Sequence, residues 1–386
     1  MKEGWVNKKV ADCFKVKSGD FLSNKLMNLS GNYDVYGGNG IAGKHDDFNL
    51  DGENIVIGRV GAKCGNVRLT NEKLWLTDNA FFISEYYDEF DKKYLTQLLG
   101  YLELGKTANH AAQPVISYTT IKPVELKYPK DVKEQKRIVG ILDEAFEGID
   151  KAIANTEKNI ANARELFDST SKSLFVESDR WQKYTLGDLL ELEWIISHLD
   201  GNHGGDYPHK NEFVAYGVPY ISANCISNNK VNFNNAKFLS EERAAVFRKG
   251  VAKNNDVLFA HNATVGPVAL LYTSLEKVIL STSLTYYRCN NEYIIPEYLA
   301  HFMRSPLFTD QYSQVMRQST RNQVPITKQR EFYHIIPPIN KQKQIAQELD
   351  NLTENLNTLE NIYQKKLEAL TELKQSLLKK AFEGEI

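Results

Sequence analysis

The chain has 386 residues, 47 Lys and Arg against 49 Asp and Glu, a net charge of −2 and a pI near 6.5. With 42% hydrophobic and 25% charged residues, it has an ordinary globular composition and is long enough for about two domains with full cores. It lacks an apolar run of about 18 residues or a signal peptide at Met1–Trp5, and Cys13, Cys64, Cys225 and Cys289 show no paired spacing. A membrane span, a zinc site and a disulfide framework are therefore not expected, and a cytoplasmic location is.

In chain order, the first features are Trp5-(four residues)-Val10-Ala11-Asp12 and the glycine-rich loop Tyr36-Gly37-Gly38-Asn39-Gly40-Ile41-Ala42-Gly43. Gly38 to Gly43 fits GxGxxG, but a dinucleotide site needs the third glycine to open a helix that faces the phosphates. Residues 44–52 are polar and turn-rich with no helical period. The loop is therefore expected to be a tight turn between strands, or a backbone-exposing approach to DNA. Strands are expected at Asn54–Ile57, Val67–Leu69 and Phe81–Ile83, and the turn 58–63 offers Arg59 and Lys63. Tyr94-Leu95 with Leu98-Leu99 predicts a short amphipathic helix. The polar stretch 106–113, with Asn109 and Gln113, precedes Ile116-Ser117. Tyr128-Pro129 then ends a strand and leads into QKRIVGILDE at Gln135–Glu144.

The same order recurs. QKRIVGILDE returns as QKQIAQELDN at Gln342–Asn351, an offset of 207, again behind prolines, Pro337 and Pro338. Residues 54–69 align without gaps on 255–270, Tyr94-Leu95 falls on Tyr298-Leu299, and Ile116-Ser117 on Ile326-Thr327. The opening matches Trp181-(four residues)-Leu186-Gly187-Asp188 at an offset of only 176, so the second half carries roughly 25 extra early residues. Its strands are expected at Asp256–Ala260, Val268–Leu271 and Leu284–Tyr287.

Each repeat ends in a heptad-spaced helix. The C-terminal seam is Ile345, Leu349, Leu352, Leu356, Leu359, Tyr363, Lys366, Leu370, Leu373, Leu377, interrupted at Lys366. The central one runs Ile138, Leu142, Ala145, Ile149, Ala152, Thr156 and weakens through Asn159 to Ala163, Leu166 and Thr170. Aligning Leu174-Phe175 with Leu377-Leu378 makes the second helix four residues shorter. Neither seam is stable exposed, and the duplicated order predicts that the helices pair antiparallel about a pseudo-twofold axis. They would hold two similar units at a fixed distance, which suits a split, asymmetric DNA site.

The expected fold class is α+β: two mixed globules of short strands, 1–131 and 181–338, and helical spacers, 132–180 and 339–386, forming a coiled coil. The globules are near neutral, with 17 basic and 17 acidic side chains in 1–131 and 15 and 14 in 181–338. The spacers carry the net acidity, with 8 basic and 10 acidic, then 7 and 8. A basic partner is therefore expected to share any contact with nucleic acid.

The donor-rich stretch Arg317-Gln318-Ser319-Thr320-Arg321-Asn322-Gln323 is the strongest candidate for DNA contact, since Arg bridges guanine and Asn or Gln bridges adenine. Arg317, Arg321, Arg59 and Lys63 are expected on phosphate or guanine. Asn39, Gln113, Asn322 and His203 are expected on base edges, with Gly38, Asn109, Asn202, Thr264, Ser319 and Thr320 around them. His261 and Asn262 stand opposite Arg59 and Lys63. His198, His203 and His209 do not have metal-ligand spacing, and no nuclease carboxylate cluster or adenine-methylase NPPY motif is present, so no catalytic residue, metal or cofactor is expected on this chain.

The doubled helix starts, the doubled openings, the loop 36–43, Asp200-Gly201-Asn202-His203-Gly204 and Lys380-Ala381-Phe382-Glu383-Gly384 resemble, over essentially the whole chain, specificity subunits of type I restriction-modification systems. The resemblance implies two target recognition domains, each reading half of a split site on double-stranded DNA. It also implies two S-adenosylmethionine-dependent adenine methyltransferase subunits docked on the helices, with ATP- and Mg-dependent translocase/nuclease subunits in the full complex. The competing expectation is a coiled-coil scaffold whose two globules bind protein or carbohydrate.

Overall fold

The computed structural model describes residues 2–28, 30–109, 113–176, 181–201, 207–317 and 322–386. Its contacts divide the chain into two compact units, Met1–Glu157 with Gln364–Ile386, and Lys158–Tyr363. Each unit takes the beginning or end of both long helices. Among the described residues no helix is long and apolar enough to cross a membrane.

In the first unit, β1 (Trp5–Lys9) pairs antiparallel with β9 (Glu125–Pro129), and α1 (Val10–Cys13) turns the chain into β2 (Phe14–Ser18). A four-stranded sheet runs β2, β8 (Ala80–Tyr86), β5 (Asn54–Gly58), β6 (Val67–Thr70). A smaller sheet runs β4 (Gly40–His45), β3 (Tyr33–Gly37), β7 (Leu74–Leu76). Helix α2 (Lys92–Tyr101) starts at Asp91, whose carboxylate accepts from Tyr94 N, and buries Tyr94, Leu95, Leu98 and Leu99. Helix α3 (Tyr118–Ile121) opens with a capping box between Ser117 and Thr120. The core joins Ile55, Ile57, Phe81, Ile83 and the α2 face to Ile138 and Leu142 of α4 (Val132–Phe175) and to Phe382.

The second unit repeats this plan. Strand β10 (Gln182–Thr185) pairs with β22 (Tyr333–Ile336), and α5 (Leu186–Glu191) is capped by Thr185 and Asp188. A four-stranded sheet runs β11 (Ile195–Asp200), β21 (Leu284–Cys289), β18 (Val257–Asn262), β19 (Thr264–Leu270), the same order as in the first unit. A second sheet runs β12 (Phe213–Val214), β16 (Lys237–Leu239), β13 (Val218–Ile221), β20 (Val278–Leu280), β17 (Val251–Ala252); its parallel β13–β20 pair matches β3–β7 of the first unit, and the extra early residues add a hairpin of β14 (Ile226–Ser227) and β15 (Lys230–Val231). Helix α6 (Glu241–Ala245) follows this insertion; α7 (Pro296–Arg304) takes the place of α2, and α8 (Pro306–Arg317) and α9 (Ile326–Gln329) follow. All six strands expected from the sequence are present.

The C-terminal helix, α10 (Ile339–Glu383), has 45 residues and α4 has 44, which corrects the expected shortening of the second helix. Leu174-Phe175 and Leu377-Leu378 are not equivalent pairs. Phe175, not Leu174, packs edge-on to Tyr298 at 5.6 Å, and the residue that packs edge-on to Tyr94 at 5.5 Å is Phe382, not Leu378. The 207-residue offset therefore holds to the end. Gly384 stops α10 in the left-handed region, φ +80°, and a Cβ there would lie 3.2 Å from the Trp5 ring.

The seams also follow a different phase from the one expected. Leu166 and Leu373 are exposed, at 68% and 47%, while Ile160, Phe167, Leu367 and Lys374 face inward. Both helices take a four-residue step, Thr156 to Ile160 and Tyr363 to Leu367, where a strict heptad takes three. This is a stutter, not a break at Lys366. Within each unit the helices run in opposite senses: Asp150 pairs with Lys374 at 2.9 Å in the first and Arg164 with Glu360 at 2.5 Å in the second.

Candidate nucleic-acid interface

In both units the turn after the central strand of the four-stranded sheet is pinned to the loop that precedes a short helix. In the first, Gly61 N donates to Pro114 O at 3.0 Å and Ile116 N to Arg59 O at 2.9 Å. In the second, Ala263 N donates to Asn322 O at 3.0 Å and Val324 N to His261 O at 2.8 Å. The backbone thus brings Arg59 and Gly61 to Pro114 and Ile116, and His261 and Ala263 to Asn322 and Val324. Ile116 therefore corresponds to Val324 and not to Ile326. Ile55 corresponds to Val257 while Leu69 corresponds to Leu270, so the expected gap-free alignment of 54–69 on 255–270 slips by one residue between the two strands.

The glycine-rich loop joins this cluster as the turn between β3 and β4, so the tight-turn reading holds and no helix follows it. Gly38 is buried because its backbone lies on that of Val60, and a Cβ at Gly38 would come within 2.4 Å of the Val60 carbonyl. Asn39 projects beyond it. A Cβ on Gly61, itself at φ +99°, would lie 3.7 Å from the Asn39 amide and 3.8 Å from Gln113 Nε2. Two exposed amides therefore converge over a glycine, with donors and acceptors of the kind that read base edges.

The cations separate. Lys63, two residues after Gly61, is exposed. Arg59 is half-buried, donates to Asp78 O at 3.3 Å and Ser18 Oγ at 3.5 Å, and lies over the Phe81 ring at 5.4 Å. Arg68 does not stand out in the sequence, yet its Nη2 donates to Asn39 O at 2.9 Å and braces the loop. Only its placement in β6, the strand after the Gly58–Gly65 turn, hints at this. Asn66 Nδ2 similarly donates to Gly38 O at 3.3 Å. Asn109 is exposed and bridges to Val115 through the backbone.

In the second unit Thr264 is exposed at the start of β19 and Arg317 at the end of α8, while Asn322 Nδ2 donates to Ala263 O. Asn202, His203, Ser319, Thr320 and Arg321 lie outside the described residues. His261 is buried, and its Nδ1 lies 2.9 Å from Val324 O. Below it, the Gln329 Oε1 accepts from Tyr287 at 2.9 Å, Thr285 at 3.1 Å and His198 Nε2 at 3.0 Å, and its Nε2 donates to Val324 O at 3.2 Å. This buried network fixes the base of the donor-rich loop. Burial pushes the His198 imidazole down to about 4, with Arg330 and His261 adding to the effect. It pushes His334, ringed by Tyr287, Phe302 and Phe308, down to about 3. His209 is exposed and its N–H bonds Glu212, so it does not join His198.

Known proteins share both the sequence pattern and the fold. The family model described as the type I restriction modification DNA specificity domain matches twice, over residues 2–161 and 178–369. The EcoBI type I restriction enzyme specificity subunit of Escherichia coli is 21% identical over 413 residues, spanning all of this chain and 81% of that protein. The EcoprrI specificity subunit, also from Escherichia coli, is 27% identical over 155 residues, 39% of this chain and 38% of that one. A solved chain from a study of complex assembly and conformational transition in a type I restriction-modification system is 14% identical with a TM-score of 0.77. It is covered to 98%, against 99% of this chain, and so shares the fold.

Proposed function

The chain belongs to the type I restriction modification DNA specificity family, and from that premise we propose that each of its two units reads one half of a split, asymmetric DNA site. The observation that carries this is the repeated loop cluster: both units pin a turn at the end of equivalent central strands to a donor-bearing loop. Two copies of one reading platform, furnished with different side chains, suit two different half-sites. Asn39 and Gln113 supply base-edge groups in the first, with Lys63 on phosphate; Asn322, Thr264 and Arg317 serve the second.

The helices α4 and α10 form an antiparallel coiled coil that sets the gap between half-sites and docks two adenine methyltransferase subunits, which bind S-adenosylmethionine. Translocase/nuclease subunits, using ATP and Mg, complete the assembly in the cytoplasm. This chain supplies recognition and no catalytic group. Methylome sequencing of a host carrying this chain with a methyltransferase partner tests the proposal. A bipartite methylated motif that disappears with the chain is the expected result, and a continuous motif or none overturns it.

A further inference from the structure

The two glutamines that open the repeated helical motif occupy the same buried position in each unit. Gln135 and Gln342 are fully buried, although each lies on an otherwise apolar helix face. Gln135 Oε1 accepts from Asp91 N at 2.8 Å, and its Nε2 donates to Pro129 O at 2.9 Å and Glu89 O at 3.4 Å. Gln342 Oε1 accepts from Ile295 N at 2.8 Å, and its Nε2 donates to Pro337 O at 2.8 Å and Tyr293 O at 2.8 Å. Asp91 and Ile295 are the N-caps of α2 and α7, and the two prolines stand where β9 and β22 end. One amide therefore ties the start of a long helix to a strand end and to the cap of the short helix packed beneath it, twice over.

Packing alone does not require this arrangement. A leucine would fill a similar volume without leaving an amide to satisfy, but apolar contacts are not directional and let a helix slide or turn. Three hydrogen bonds to backbone groups of one globule fix both rotation and axial position. Glutamine suits the place because it offers one acceptor and two donors together, which neither an ionised glutamate nor a leucine does.

We propose that Gln135 and Gln342 are positioning residues that lock each reading unit to its spacer helix and thereby set how strictly the gap between half-sites is measured. The inference rests on the split-site reading given above. Half of a long helix spans about 30 Å, so a tilt of about 6° at the joint moves its far end by about 3 Å. That equals one base-pair step, and one base pair also turns a half-site by about 34°.

The test uses the full chain with its methyltransferase partner, and duplexes carrying its own two half-sites with the native gap or a gap one base pair longer or shorter. Wild type is expected to favour the native gap, and Gln342→Met to narrow that preference about tenfold while the half-site sequences read in the methylome stay the same. Gln342→Asn keeps the amide but is one methylene short, and is expected to narrow it as well. A folded variant, judged by circular dichroism and melting, that retains the full preference overturns the proposal. Loss of folding in both variants also overturns it, because the glutamine would then be a core residue only. A wild-type protein that reads no split motif would instead overturn the functional reading itself.

Discussion

Asn39 and Gln113 lie over Gly61, braced by Arg68, and this small cluster makes the most specific residue-level claim. If the amides bridge an adenine, Gln113→Ala costs about 1–3 kcal/mol of binding and relaxes one position of one half-site. Lys63→Ala instead weakens binding evenly across sequences and flattens its salt dependence by about one counterion. Duplex binding over a salt series separates the two, and unchanged affinity in both variants would remove this edge from the interface. The amides are legible in the sequence, Asn39 in its glycine-rich turn and Gln113 in the polar stretch 106–113. The setting of Arg59 is not, because what engages it, the Asp78 carbonyl and the Phe81 ring, comes from the neighbouring strand and the turn before it. The histidines show the same limit. Spacing does not reveal that Gln329, 131 residues away, is the partner of His198.

At the scale of elements, the repeat makes both helices, three of the four strands in each four-stranded sheet and the short helices α2 and α7 readable, because apolar spacing reports which face is buried. What it conceals is phase. Lys366 draws attention as a charge in a leucine seam, whereas the seam steps by four at Tyr363 and passes through Leu367. The helix ends are misleading for a related reason: Leu377-Leu378 matches Leu174-Phe175 by type, but only Phe382 reaches the tyrosine of the short helix. The step suggests where length can be changed. Inserting four residues after both Thr156 and Tyr363 adds about 6 Å to each helix and keeps its faces. The methylated motif should then keep both halves and lengthen its gap by about one or two base pairs. An unchanged gap with intact methylation would show that the helices do not measure it.

At the scale of the whole molecule, the units differ in their response to acid. His198 and His334 would take protons near the ordinary 6.5 in an unfolded chain, but only near 4 and 3 when buried. Between those values the unfolded state binds more protons, so the second unit is fully stable above about pH 6.5 and loses stability as pH falls towards 4. At about 1.4 kcal/mol for each tenfold difference in proton affinity between the folded and unfolded chain, the loss amounts to several kcal/mol. Hydrogen exchange at pH 7 and pH 4.5 should show the sheet of β11, β21, β18 and β19 losing protection before that of β2, β8, β5 and β6. Equal loss in both would contradict it. The central claim, two independent readers on one scaffold, is tested most directly by exchanging residues 181–338 for the matching unit of a relative and sequencing the methylome. One half of the motif should change while the other half and the gap stay as they were; a motif with both halves altered, or a continuous one, would contradict the account.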